Sequence, residues 1–172
     1  EYNTSATDTT AKTTRAGKLF EYFTKLCFLH DSEFAAEYDC KDVYLYEEIP
    51  TDLKQKLNLP TVEHGIDLLI VDRDEKVIAV QCKFKNDETV KLNWNADKLG
   101  NFFGFARNAD LHCVFSNSSD ITQVAQNLTD NFKFFSYSHL QNISAATFEK
   151  MRNALIGEPI KEIKKPTPHD YQ

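Results

Sequence analysis

At 172 residues, 41% hydrophobic and 12% aromatic, the chain is long and apolar enough for one packed domain, which excludes a disordered or loop-built protein. A formal net charge of −6 counts against a free-standing nucleic-acid binder, because a grip on phosphates needs an excess of Lys and Arg; a domain whose neighbours hold the nucleic acid stays open. No run approaches the roughly 20 apolar residues of a membrane span, no secretory signal is legible, and Cys27, Cys40, Cys82 and Cys113 lack CxxC spacing, so an intracellular, cytoplasmic protein with reduced thiols is expected.

Residues 1–14, rich in Thr, Ser and Asp, read as a flexible arm. From about Thr14, Leu19, Phe20, Phe23, Leu26 and Cys27 recur at helical spacing and predict a helix with a core-facing stripe. A further helical turn is expected at Ser32–Tyr38, capped by Asp31 or Ser32. Val43–Tyr46 reads as a strand. Residues 47–64 form a polar loop with one turn of helix near Asp52–Leu57, and residues 65–84 form a β-hairpin. Asn95–Arg107 is expected to be a helix burying Leu99, Phe102, Phe103 and Ala106. Leu111–Ser116 should be a strand, Ile121–Leu128 a helix, Phe132–Phe135 a strand and Thr147–Leu155 a helix. The succession α-β-β-β-α-β-α-β implies an α/β fold, a mixed central β-sheet flanked by helices on both faces, with its chemistry at the strand ends.

The hairpin carries the chemical signal. Gly65-Ile66-Asp67-Leu68-Leu69-Ile70-Val71-Asp72 and Val77-Ile78-Ala79-Val80-Gln81-Cys82-Lys83-Phe84 are two apolar runs around a charged turn. Strand side chains alternate, so Gln81 and Lys83 share one face, and pairing brings Asp67 beside them. A carboxylate, an amide oxygen and an ammonium at one strand end suit a divalent metal and a phosphodiester. The plainer alternatives are a turn-capping Asp67 and an exposed strand face bearing Lys83. Glu63 and His64, just ahead of Asp67, could approach a metal but read more simply as solvated loop residues. His30, His112, His139 and His169 lack ligand spacing, which argues against zinc. Phe102 and Phe103 fit a core better than base stacking.

Gly65-Ile66-Asp67 followed by Gln81-Cys82-Lys83, with Gly17-Lys18-Leu19-Phe20-Glu21 upstream, resembles the PD-(D/E)xK nuclease superfamily, and within it the Mrr-like restriction endonuclease branch, where Gln commonly stands in the acidic position before Lys. The likeness spans most of residues 15–140. With Asp42-Val43-Tyr44-Leu45-Tyr46 and the strand end Phe115-Ser116-Asn117-Ser118, it looks like the nuclease domain at the N-terminus of helicase-containing restriction enzymes of the type ISP kind. The resemblance implies a restriction-endonuclease-like domain over 15–157 and Mg²⁺-dependent hydrolysis of DNA, with Mn²⁺ able to substitute. It implies Asp67, Gln81 and Glu21 as metal ligands and Lys83 as the cation at the reacting phosphate. By residue type alone, Glu21 would instead be the partner of Lys25 one turn on. No Pro precedes Asp67 and Gln81 is neutral, so the set holds one charge fewer than an acidic version. Residues 158–172, ending Pro166-Thr167-Pro168-His169-Asp170-Tyr171-Gln172, resemble the segment opening superfamily II helicase motors. They imply a linker into a covalently attached helicase/ATPase domain, and no GK[ST] phosphate loop lies in this chain itself. The competing classes are a non-catalytic DNA-binding or docking module and a structural domain of a helicase.

Overall fold

The computed structural model describes residues 4–95 and 97–157, with side chains from residue 12 onward. The expected linker at 158–172 and its helicase-like ending lie outside the described residues. Strands β1 (Cys40–Leu45), β2 (Leu68–Asp72), β3 (Val77–Lys83), β4 (Leu111–Ser116) and β5 (Phe132–Phe135) form one sheet in the order β1-β2-β3-β4-β5. The first three are antiparallel neighbours, and β3, β4 and β5 run parallel. A tight turn joins β2 to β3: Asp72 accepts the Lys76 N–H at 2.8 Å through Oδ1, and Glu75 takes a left-handed conformation at φ 62°. The parallel pairs need crossovers, which carry the intervening helices.

Period-two alternation sorts the strand residues into two cores. Leu68, Ile70, Ile78, Val80 and Cys82 pack with Phe20, Cys27 and Phe28 of α1 (Thr4–His30), Phe34 of α2 (Ser32–Tyr38) and Met151 of α7 (Ala145–Ile156). On the other face, Leu69, Val77, Ala79 and Val114 pack with Leu99, Phe102 and Phe103 of α4 (Leu99–Phe105) and Ala125 of α5 (Gln123–Gln126), and Leu53 of α3 (Thr51–Lys56) lies against the same layer. The near-continuous burial of β2 and β3 follows from helices covering both faces. The expected mixed sheet with helices on both sides is the observed fold.

Several boundaries differ from expectation. Helix α1 begins at Thr4, well ahead of Thr14 and inside the stretch read as an arm, because a helix anchored by its packed half extends at the cost of one residue per added hydrogen bond. Leu19, placed in the buried stripe, is 62% exposed: it lies about 100° around the helix from buried Phe20. Helix α4 starts at Leu99 rather than Asn95, since Asp97 accepts the Asn93 N–H and Lys98 turns left-handed at φ 56°. A short helix α6 (Tyr137–Gln141) lies outside the expected elements; His139 Nδ1 accepts the Ser136 N–H at its start.

Candidate active site

Asp67 stands immediately ahead of β2 and is pinned from three sides. Its N–H donates to Val80 O at 2.9 Å, its carbonyl accepts from Tyr46 N–H at 3.0 Å, and its Oδ2 accepts from Cys82 N–H at 2.6 Å. The Leu68–Val80 register, continued by one residue, sets Asp67 opposite Gln81. Val80 and Cys82 belong to the α1 layer, so Gln81 projects to the opposite face. There its Nε2 lies where a Cβ on Gly65 would come within 3.3 Å, and Phe102 N would be equally close. Gly65 has φ +85°, so glycine serves both the backbone and the space Gln81 needs. Gln81 is 2% exposed and its Oε1 has no hydrogen-bond partner among the described residues.

Lys83 ends β3. Its carbonyl accepts from Ser116 Oγ at 2.6 Å, and that same Oγ accepts the Ser118 N–H at 3.0 Å. Asn117 clips the next turn of chain, accepting the Lys85 N–H and donating to the Lys85 carbonyl, both at 2.7 Å. The Phe115–Ser118 strand end therefore locks the backbone that presents Lys83. The Lys83 ammonium has no hydrogen bond or ion pair among the described residues, although its charge is felt by Asp67.

Glu21 reaches Asp67 from α1, next to buried Phe20, and Glu63 reaches it from the loop before β2. One carboxylate oxygen from each of the three lies within 4.8 Å of the others. Lys18 faces this group, 2.7 Å from Glu21 Oε2 and 3.2 Å from Glu63 Oε2. Burial pushes the Asp67 carboxyl up to about 8; the Cys82 N–H opposes this, Glu21 and Glu63 add to it, and Lys83 pulls back. Burial likewise raises Glu21 against the pull of Lys18. For Lys18 burial disfavours the charge, but the two glutamates outweigh it and hold the ammonium protonated.

The structure thus brings Glu21 and Asp67 together, with Gln81 and Lys83 on the strand beside them. It gives Glu63 more weight than its loop position suggested, and separates it from His64, whose ring stacks on Phe105 with centroids 5.0 Å apart. The available signal was an acid four residues before Asp67; only the turn at Gly65 folds it back. The donor set fits a hard divalent cation: three clustered carboxylates, with a partnerless amide oxygen on the neighbouring strand, are all oxygen donors. A carboxyl pushed toward neutrality by burial, and further by its acidic neighbours, is itself a demand for positive charge.

A mixed five-stranded sheet with helices on both faces is the restriction-endonuclease-like α/β fold, here with an acid cluster beside a strand-end Lys. Residues 30–156 match the family model described as restriction endonuclease, of Mrr catalytic type, and the chain belongs to that family. Among solved structures it is similar to one described as "ATP-dependent Type ISP restriction-modification enzyme LlaBIII bound to DNA", at a TM-score of 0.55 and 16% identity over 77% of this chain. The chain spans 8% of the length of that enzyme. A second structure, described as "Protein of Unknown Function AF1548", aligns over 86% of this chain and 73% of its own at 14% identity and a TM-score of 0.43. No curated protein matches in sequence. No helix among the described residues is long and apolar enough to cross a membrane.

Proposed function

We propose that this domain is a Mg²⁺-dependent DNA endonuclease, the nuclease module of a larger helicase-containing restriction enzyme. The observation that carries the reading is the convergence of Glu21, Glu63 and Asp67 beside Lys83 in a chain of the restriction endonuclease family. Asp67 is the central ligand, Glu21 and Glu63 complete the carboxylate set, and Gln81 offers its neutral, partnerless oxygen. When bound, the cation offsets charge on the phosphate and acidifies the attacking water. Lys83, held by the Ser116 bond to its own carbonyl, places its ammonium against the phosphoryl oxygens, where negative charge grows in the transition state. The Cys82 N–H fixes the rotamer of Asp67, so the ligand set is arranged before the cation arrives.

The test is plasmid nicking by the chain, alone and joined to its downstream sequence, with Mg²⁺ or EDTA. Metal-dependent nicking that falls about 100-fold or more in a folded Lys83→Ala variant is expected. Neutral Gln81 favours one second reading, a DNA-docking module that kept the fold without turnover. That reading requires DNA binding without nicking in both lengths of protein.

A further inference from the structure

Two lysines flank the acid cluster, and they are placed differently. Lys83 has no hydrogen-bonded or ion-paired partner among the described residues. Lys18, one turn before Glu21 on α1, bridges the helix to the loop: its ammonium is 2.7 Å from Glu21 Oε2 and 3.2 Å from Glu63 Oε2. These two glutamates are 42 residues apart in sequence and belong to the same converging set as Asp67. The next lysine along α1, Lys25, is paired instead with Glu48, so Lys18 is the one that enters the cluster.

A lysine ammonium is a single charge with donors only, whereas Mg²⁺ or Mn²⁺ brings two charges and takes several oxygens at once. Both want the same carboxylates. The Lys18 side chain is 53% exposed against 13% for Glu21, so its flexible stem has an open path to solvent while the carboxylate stays in place. Like-charge repulsion within the carboxylate set is relieved by whichever cation occupies it. Resting on the reading of this cluster as a divalent-cation site, we propose that Lys18 is a built-in counter-cation: it holds Glu21 and Glu63 together before the metal arrives and must leave them for the metal to load. Its competition sets the metal concentration at which the nuclease becomes competent.

A different role, permanent orientation of the glutamates, would make Lys18 an aid to the metal rather than its rival, and calorimetric titration of the metal-stripped 172-residue chain with Mn²⁺ separates the two. Lys18→Met keeps an unbranched, helix-favouring stem without the charge; it is expected to bind Mn²⁺ roughly fivefold more tightly than the parent, the scale of one partly exposed ion pair. The same variant should melt lower than the parent in EDTA and gain more from added Mn²⁺. Lys18→Arg keeps the charge and should keep the parent affinity; Lys18→Gln repeats the charge removal should the Met variant aggregate. A parent that binds no Mn²⁺ while Lys18→Met does would also support the proposal, as a complete block. Binding by the parent that Asp67→Asn abolishes, with Lys18→Met equal or weaker, overturns the role of Lys18 and leaves the metal site standing. Silence from parent and charge-free variants alike overturns both.

Discussion

Asp67 concentrates the physical conflict of this chain. It is buried, accepts one N–H from Cys82, and meets two further carboxylates. Its ordinary value is 3.8 and its folded value is about 8. Between those limits the folded state holds a proton that the unfolded state has released, so stability is full at low pH and falls as pH rises through that window. Asp67→Asn removes the titration while keeping an oxygen for the Cys82 N–H. In EDTA at the top of that window the variant is expected to melt higher than the parent, by about 3 °C for each kcal/mol recovered. At low pH the difference should vanish. With Mg²⁺ the order should reverse, because the parent gains from binding and the variant does not. Nicking should fall by at least ~100-fold in the same variant. Thermal melts across pH, with and without metal, check the first three outcomes, and plasmid nicking checks the last. A site that costs stability until its ligand is bound is the expected signature of function over folding.

At the scale of elements, the site is made by the ends of β2 and β3, and two local devices hold it. One is the Ser116–Lys83 clip across the parallel β3–β4 pair, which fixes where the strand stops. The other is the turn at Gly65, which returns the loop carrying Glu63 onto Asp67. Gly65→Ala forces a side chain into φ +85° and within 3.3 Å of Gln81 Nε2 and Phe102 N. Backbone strain alone is expected to cost about 1–3 kcal/mol, read as a lowered melting temperature in EDTA. Because the new Cβ also presses on Gln81 and shifts Glu63, metal affinity should drop more than that of a variant equally destabilised elsewhere, such as Met151→Ala in the core against α1. Calorimetric titration of the two variants side by side makes the comparison.

For the molecule as a whole, the charge of −6 sets the terms of DNA engagement. Three carboxylates meet where the metal would sit, and with 26 Asp and Glu against 20 Lys and Arg the chain has no surplus of cations to draw in a duplex. The isolated chain is therefore expected to bind duplex DNA no more tightly than the usual non-specific range of about 10⁻⁴–10⁻⁶ M near physiological salt. Fluorescence anisotropy across a salt series measures this directly. Submicromolar binding by the chain alone would contradict the view that neighbouring domains deliver the substrate.

Much of this was legible in the residues. The apolar runs at 65–72 and 77–84, the strands Leu111–Ser116 and Phe132–Phe135, and a cap at Asp31 or Ser32 are local patterns, and the chain forms β2 and β3 within those runs, the two further strands where expected, and the cap at Asp31. That a paired hairpin sets Asp67 beside Gln81 and Lys83 was legible too, since the hairpin joins the two runs through one short turn. Helix ends were less so: Thr4 and Leu99 depend on whether a packed segment propagates or a neighbouring Asp or Asn captures the backbone. What only the tertiary structure decided was the company Asp67 keeps. Glu21 arrives from a helix 46 residues earlier and Glu63 from a loop whose direction hinges on one left-handed glycine, and nothing in the spacing of either says that Lys18 would stand between them. Periodicity encodes which face of an element is apolar; which charged groups meet where elements end is fixed only when the two cores on either side of the sheet have packed, and there the energies of burial and repulsion are set.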